Sequence, residues 1–470
     1  KLLQEGRRAE AREIRGEMPM KEKLKKELSL SQIIAMAAGG MIAAWMVEIK
    51  YWFEISGTGA VFSLLTCCIL VLPLCLIYSE MTSMLPYAGG ENVWISNAFG
   101  WNVGWFSCWA LVLLYIVAMP SVAFGISSML SYLFPVTFIQ IKIIAASIIV
   151  IWFLLTNLEI KFLAKIQNIL FWSTLAISIC ASFIFIFSDQ WSFDNLRPWF
   201  PSGFTGYTMG VGLLIMKFQG FDMIPQLVEE SKIPKKKLLI AFISSMFLTF
   251  LIYGLAIIAV GGIVTDEWMQ QTDIVDPRVA DMLGMHWLGL VIVVMGIGTC
   301  ITTLSGFWLS ASRTLYGGAK QGQFSKTFAS INRYGQPWKA NIVIGILSLY
   351  FTVFAPEAWI NYIFTITGLS AGIIYFGVSV SFLKLRKTKP HWERPYKVKH
   401  GKVLGCISVV FTIWVIYTCA KSMDLGGWMA VGLYFALGVP FMLYAKHMQK
   451  KKPDEWKQII LSPDQVREEE

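Results

Sequence analysis

Polar residues of the kind that a simple membrane anchor avoids interrupt an apolar stretch at 206–234, GYTMGVGLLIMKFQGFDMIPQLVEESKIP. They are Lys217, Gln219, Gly220, Asp222 and Pro225. Charged groups inside a bilayer are costly and are usually functional or paired within a bundle. Gly220 and Pro225 also weaken the helix, which is tolerated only where the freed backbone lies in protein or lines a cavity. The stretch therefore predicts a broken helix with a polar pocket at the break. The competing interpretation is a kinked helix in which Lys217 and Asp222 neutralise each other.

The first long apolar segment, SLSQIIAMAAGGMIAAWMVEIKYWF, has a similar weak point at Gly39-Gly40 and an acid, Glu48, further on. If the helix is broken there, the N-terminus of its outer half offers backbone N–H groups to an anion such as a carboxylate. A small-residue face for close helix packing is the alternative. Two interrupted segments in corresponding positions of two halves point to a substrate site near the midplane of a transporter.

Composition predicts an all-α polytopic membrane protein. The chain has 470 residues, of which 56% are hydrophobic and 15% charged, and its mean hydropathy is +0.58. These values exclude an ordinary soluble domain. Apolar runs of about 20 residues predict about 12 transmembrane helices. They lie near 29–49, 60–85, 103–133, 138–157, 165–188, 207–230, 237–263, 286–313, 340–355, 357–384, 403–421 and 426–446.

The placement of the net charge of +10 predicts the orientation. Basic residues crowd both tails and alternate loops, whereas the intervening loops carry acids, as at 266–281. The positive-inside rule then places both termini in the cytoplasm, and an even span count agrees. We expect a multi-pass protein of the cell (plasma) membrane. Anionic lipid headgroups account for the basic surface, so no nucleic-acid partner is expected. Residues 1–28 are charged throughout and show no cleavable signal peptide.

Four motifs carry a resemblance to a known family. An acid at the end of the second span is followed by P-x-x-G-G in YSEMTSMLPYAGGENVWISNAFG (78–100). FQGFDMIPQLVEESKIPKK (218–236), ASRTLYGGAKQGQFSKTFASINRYGQPWKAN (311–341) and WERPYKVKHG (392–401) follow in order. Together they resemble permeases of the amino acid, polyamine and organocation (APC) superfamily. The resemblance covers almost the whole chain.

This resemblance implies a LeuT-type fold with a 5+5 inverted repeat, in which spans 1 and 6 are the broken helices. The implied divisions are a cytoplasmic tail (1–28), a first repeat (29–188), a second repeat (207–384), spans 11 and 12 (403–446) and a cytoplasmic C-terminal tail (447–470). The substrate amine and carboxylate would lie between the two breaks. The substrate-binding residues carried over are Gly39, Gly40, Met41, Met216, Phe218, Gln219 and Gly220.

One departure from the family pattern concerns the first break. Ala43 and Trp45 stand where further glycines are common, which predicts a smaller pocket. A similar loss of glycines followed by an acid occurs in the glutamate/GABA antiporter branch.

Gating or proton coupling is expected from Glu48, Lys217, Asp222 and Trp308. Three interpretations of these charges stay open. Lys217 and Asp222 could form an internal ion pair, or Asp222 or Glu48 could relay protons. Alternatively, one of the acids could bind a cationic substrate. Trp308, with Phe218, is a candidate lid over the substrate. At the cytoplasmic span ends, Glu80 and the pair at 229–230 are candidates for an inner gate with Arg313.

A sodium site is the alternative means of coupling. Hydroxyl groups in the fifth and eighth spans could coordinate Na⁺, or could simply pack as polar contacts between helices. The candidates are Ser173, Thr174, Thr302, Thr303 and Ser305.

The leading prediction is a secondary active transporter, a permease or antiporter, that moves an amino acid by alternating access. The alternatives are an exchanger of a cationic amine or polyamine and a non-transporting receptor on the same fold.

An enzyme is not expected, because His286 is the single span histidine available for a catalytic cluster. No Cys/His spacing suggests a metal or cofactor, and no phosphate-binding loop suggests ATP. The substrate, the coupling ion (H⁺ or Na⁺) and the oligomeric state stay open.

Overall fold

A computed structural model describes residues 24–43, 45–354 and 359–463, and this part of the chain is helical without a named strand. The helices are α1 (Leu30–Met41), α2 (Trp45–Ser56), α3 (Ala60–Met84), α4 (Gly90–Phe99), α5 (Trp101–Met129), α6 (Phe138–Thr156), α7 (Ile160–Ile186), α8 (Gly203–Leu214), α9 (Met223–Gln226), α10 (Leu238–Gly261), α11 (Asp266–Gln270), α12 (Val275–Met282), α13 (His286–Lys320), α14 (Trp338–Val353), α15 (Trp359–Thr388), α16 (Gly401–Ser422) and α17 (Leu425–Lys451).

The structure confirms the predicted polytopic all-α fold. Among the described residues, nine helices are long and apolar enough to cross a membrane, and α1 and α14 are shorter apolar helices. The predicted first and sixth spans are each interrupted. Helix α1 ends at Met41 and α2 begins at Trp45, and a 3₁₀ turn, Ile215–Phe218, with an irregular segment separates α8 from α9. The division into two inverted repeats stays a prediction.

Capping residues determine where several helices begin. The Ser29 side chain accepts from the Gln32 N–H while the Gln32 side chain accepts from the Ser29 N–H, which is a capping box. Thr137 and Gln140 form the same arrangement at the start of α6. Each box satisfies N–H groups that a helix start leaves without partners.

Burial separates the core helices from the peripheral ones. Nearly all of α5 is buried, and most of α13 is buried as well. The long apolar side chains of α6, α16 and α17 are largely exposed, as at Ile139, Val410 and Leu433. In a membrane protein such faces contact lipid rather than water. The broken helices pack against the core formed by α5 and α13.

Both described ends of the chain lie at one end of the bundle, which we call the inner end. Leu24 packs with Tyr316 and Ala319 of α13, whereas Trp456 packs with Trp101 at the start of α5. Phe324 contacts both groups. The opposite end, which carries the loop with α11 and α12, is the outer end.

Candidate functional site

Side chains from two neighbouring helices cover the backbone carbonyls at the first break. The Thr303 hydroxyl of α13 lies 2.5 Å from the Gly39 carbonyl oxygen and 3.2 Å from that of Ile42. The Tyr253 hydroxyl of α10 donates to the Met41 carbonyl at 2.7 Å. Irregular backbone at membrane depth requires such partners. The break is therefore a built feature of the fold rather than a frayed helix end.

The N–H groups at the first break also have partners. The Ala43 N–H donates to the Met41 carbonyl at 3.1 Å, and the Trp45 N–H donates to the Ala43 carbonyl at 2.5 Å. These were the amides expected to meet a substrate carboxylate. In this conformation they form local turns, so a carboxylate would have to displace these bonds.

A glycine forms the second break. Gln219 is extended, and Gly220 has φ +150°, a backbone conformation that side chains disfavour. A Cβ atom on Gly220 would lie 2.7 Å from Met41 Cγ, 2.8 Å from the Ala37 carbonyl oxygen and 2.9 Å from the Met41 nitrogen. Glycine is therefore required here both for conformation and for space.

The two breaks are in direct contact through methionine side chains. A Cβ on Gly40 would lie 2.5 Å from Met223 Sδ, and one on Gly306 of α13 would lie 2.8 Å from the same sulfur. Met41 and Met223 are both buried. Methionine is flexible and apolar, so it adapts to ligands of different shape. The structure thus brings Gly40, Met41 and Gly220 into one contact, whereas Gly39 faces Thr302. The role of these residues in substrate binding stays a prediction.

The other predicted substrate residues have different surroundings. Met216 lies against Gly368 of α15, since a Cβ there would be 2.7 Å from Met216 Sδ. Phe218 is buried next to the break. The Gln219 Nε2 amide group is buried and lacks a hydrogen-bond partner in the described part of the chain. Gln219 thus has a free donor beside the break, whereas Met216 contacts α15.

Lys217 pairs with Glu48 of α2, not with Asp222. The Lys217 Nζ and the Glu48 carboxylate form an ion pair, and the same Nζ lies 5.6 Å from the centroid of the Trp52 ring. Asp222 accepts instead from the Tyr115 hydroxyl of α5 at 3.2 Å. The interpretation that Lys217 and Asp222 neutralise each other is therefore wrong. The break turns the two side chains toward different partners.

The sodium candidates do not all face the bundle interior. Thr302 and Thr303 face Gly39, and Ser305 is buried with no partner for its hydroxyl among the described residues. Thr174 is buried, but Ser173 is exposed, so it does not face the eighth span as expected.

Trp308, expected to act as a lid, packs away from the breaks. Its ring centroid lies 6.4 Å from that of Phe153 on α6, and a Cβ on Gly345 of α14 would lie 3.4 Å from Trp308 Cζ2. Both neighbours belong to helices outside the two breaks. The expectation of a lid at Trp308 is therefore not supported by its contacts.

The outer end is closed by the loop that carries α11 and α12. The Trp45 indole N–H donates to Asp276 Oδ1 at 3.3 Å, and Lys50 Nζ donates to the Thr272 carbonyl at 3.1 Å. Burial raises the pKa of Asp276 to about 6, although the Trp45 hydrogen bond opposes the shift. This loop thus holds the outer half of the first broken helix in place.

The inner end is closed by a buried ion pair. Arg313 donates from Nε and Nη2 to the two Glu230 carboxylate oxygens at 2.9 and 2.8 Å, and both side chains are buried. The backbone N–H groups of Glu27 and Leu28 donate to the Glu230 carbonyl, each at 2.8 Å. The expected pairing of the acids at 229–230 with Arg313 is confirmed for Glu230.

Glu80 has a different role from the one that its position suggested. It binds Arg386 of α15, accepts from Arg394 Nε at 3.1 Å, and accepts from the Val398 N–H at 2.7 Å. Glu80 thus fixes the loop after α15 to the end of α3. It does not pair with Arg313.

Sequence reasoning missed Glu91, the first acid after the glycine pair at 89–90. Glu91 is completely buried and its Oε2 accepts from Gln226 Nε2 at 2.6 Å. An acid within the apolar aromatic segment GGENVW was the available signal. Its burial depends on α9, which is remote in sequence.

The fold and site together define a polytopic membrane permease in which two broken helices meet. The family model described as "Amino acid permease" matches residues 28–459. The chain belongs to this amino acid permease family, within the APC superfamily.

Curated relatives align over most of their length. The branched-chain amino acid permease BcaP of Lactococcus lactis is 24% identical, over 87% of this chain and 94% of the relative. The aspartate-proton symporter of Bacillus subtilis is 22% identical, over 91% and 85%. The glutamate/serine transporter AimA of Bacillus subtilis is 23% identical, over 84% and 77%. All three relatives are named as transporters of amino acids.

Proposed function

We propose that this protein is a secondary active transporter that carries a neutral amino acid with an apolar side chain by alternating access. The observation that carries the proposal is the contact between the two breaks, where Gly40 and Gly220 approach Met223 and Met41. An amino acid held there would place its polar groups on the backbone and its side chain against the methionines.

The substrate class follows from the lining. The side chains that meet at the contact between the breaks, Met41 and Met223, are apolar. The polar side chains beside them include the uncharged Gln219, Thr302 and Thr303. Lys217 is paired with Glu48. An apolar pocket discriminates against a charged side chain, because that charge would lose its hydration without gaining a partner. The similarity to a branched-chain amino acid permease supports this choice.

We further propose that both chain ends lie in the cytoplasm of a cell whose plasma membrane holds the protein. The inner end carries the basic clusters at 235–237 and 450–452, and the positive-inside rule assigns that side to the cytoplasm. The shared location of Leu24 and Trp456 at the inner end supports a common side for both termini.

The test is counterflow in proteoliposomes that contain the full chain. Vesicles are loaded with unlabelled leucine, isoleucine and valine, and labelled leucine is added outside with no ion gradient. We expect labelled leucine to enter, and unlabelled neutral amino acids to compete, whereas lysine, aspartate and putrescine do not. Gly254→Ala is the control variant, since a Cβ there meets only atoms at 3.9 Å.

Two other outcomes would replace the proposal. Exchange of lysine or putrescine without exchange of leucine would establish a transporter of cationic amines. Saturable binding of leucine to the purified protein without entry under any gradient would establish a receptor on the same fold.

A further inference from the structure

Two completely buried carboxylates lie beneath the breaks, at the contact between α4 and α9. Glu91 is the second residue of α4, and Asp222 immediately precedes α9. Both have an exposed fraction of 0%. The backbones are close here, since a Cβ on Gly90 would lie 2.5 Å from Pro225 Cβ. Neither carboxylate belongs to the contact between Met41 and Met223 that is proposed to hold the substrate.

One residue of α9 joins the two elements. Gln226 donates from Nε2 to Glu91 Oε2 at 2.6 Å and accepts from the Gly89 N–H at 3.0 Å. Asp222 lies four residues before Gln226, one helical turn away. Through these bonds the inner half of the second broken helix is held against α4.

Aromatic hydroxyl groups surround the pair. The Tyr115 hydroxyl donates to Asp222 Oδ2. The Tyr78 and Tyr375 rings lie 4.9 and 5.2 Å from the ring of Phe221, the neighbour of Asp222. The hydroxyl groups of Tyr78 and Tyr375 are buried and have no aligned hydrogen-bond partner among the described residues. Such a shell can solvate one negative charge but offers no positive charge to a second.

The nearby cations are bound elsewhere. Lys217 pairs with Glu48, Arg313 with Glu230, and Lys320 with Glu229. Within the described residues, neither Glu91 nor Asp222 forms an ion pair with a basic side chain. Oε1 of Glu91 and Oδ1 of Asp222 also lack hydrogen-bond partners there. Among the described residues, the Cys75 thiol of α3 is a further titratable group, and it interacts electrostatically with Tyr375.

Two buried anions without a counter-ion would be very costly, so one group gains a proton instead. Glu91 lies on α4, which connects two candidate spans and is not itself one of them. Burial, and then repulsion from Asp222, raise the pKa of Glu91 well above its usual range.

We infer that Glu91 and Asp222 together bind one transported proton, which couples the amino acid flux to a proton gradient. This inference rests on the proposed transport function and identifies its coupling ion. The proton comes from the outer solution and forms an O–H bond with one carboxylate. It leaves to water at the inner end, where that bond breaks. Once the inner end begins to open and water reaches the site, loss of the proton leaves two buried negative charges at the contact between α4 and α9, and their repulsion then holds these two helices apart.

The test compares exchange with gradient-driven accumulation in the same proteoliposomes. Labelled leucine and a pH-sensitive dye inside the vesicles report amino acid and proton entry. In the wild type, acid outside should drive leucine above its external concentration and leucine should acidify the lumen. In Glu91→Gln and Asp222→Asn, leucine counterflow should stay measurable, whereas accumulation and acidification should be lost. Glu159→Gln, an exposed acid at the start of α7, is the matched control and should keep both.

The outcomes separate the two proposals. Absence of leucine counterflow in the wild type removes the transport proposal itself. Counterflow with accumulation that follows Na⁺, or with coupling intact in Glu91→Gln, overturns the proton site alone.

Infrared spectroscopy gives a second readout: the wild type should show a protonated carboxylic acid band that titrates with pH and is lost in either variant. If a variant does not fold, a carbodiimide specific for protonated carboxyls should label the wild type at Glu91 or Asp222. No label there also refutes the proposal.

Discussion

Adding one methyl group to Gly220 should force the two broken helices apart. In Gly220→Ala, the new Cβ must avoid Met41 Cγ, the Ala37 carbonyl oxygen and the Met41 nitrogen, all within 2.9 Å. An alanine at φ +150° costs roughly 1–3 kcal/mol in backbone strain. Overpacking of a filled site adds about 1–3 kcal/mol. The closed conformation should therefore lose roughly 2–6 kcal/mol, and each 1.4 kcal/mol is about a tenfold change in its population.

Leucine counterflow and the thermal unfolding temperature in detergent measure this effect together. Gly220→Ala should lower counterflow by more than about tenfold and lower the unfolding temperature. Met41→Ala should not restore activity in the double variant, because two of the three close atoms are backbone. Gly254→Ala should behave as the wild type. Normal counterflow in Gly220→Ala would show that the breaks need not touch during transport, which would refute the proposed position of the substrate.

Three further predictions concern the closures at the two ends. Arg313→Met leaves the Glu230 carboxylate buried and unpaired, so the free energy of unfolding should fall by roughly 3–5 kcal/mol; an unchanged unfolding temperature would contradict this. Lys217→Met should reduce counterflow, and adding Glu48→Gln should restore part of it, since the pair is then removed as a unit; no recovery would indicate another partner for Lys217. Because burial raises the pKa of Asp276 from 3.8 to about 6, the closed loop should be most stable below pH about 4. It should lose on the order of 3 kcal/mol as pH rises to about 6. Hydrogen exchange in α12, corrected for its intrinsic pH dependence, should show this loss in the wild type and not in Asp276→Asn.

The sequence predicted the two breaks because their signals are local. Glycine at 39–40 and at 220 weakens a helix wherever it occurs, and the charges at 217 and 222 mark the same segment as unusual in a membrane. The structure adds the positive φ of Gly220 and the methionines that fill the contact. These details depend on which helix faces the break, and no local pattern contains that information.

The sequence predicted the partner of Arg313 correctly, but not the partners of the other buried charges. Lys217 and Asp222 are five residues apart, and the neutralising pair assumed that the chain between them stays helical. The extended Gln219 turns Lys217 toward Glu48, which is 169 residues away. Glu80 likewise binds Arg386, which is 306 residues away. Pairing at such separations depends on helix packing, so Glu91 and its contact with Gln226 were also missed.

If the protein works by alternating access, as we propose, the charged pairs toward the two ends should oppose opening to different extents. At the inner end, the Arg313 and Glu230 side chains are 0% and 1% exposed. Separating them before water can reach them would leave two unpaired buried charges. Toward the outer end, the Lys217 and Glu48 side chains that join the second break to α2 are 5% and 15% exposed, so water can replace part of their interaction as it breaks. On the proposed mechanism, we therefore expect opening toward the outer end to cost less in the absence of substrate. If so, substrate and proton would bind first from the outer side, and an inward proton gradient would drive uptake through the proton site that we infer at Glu91 and Asp222.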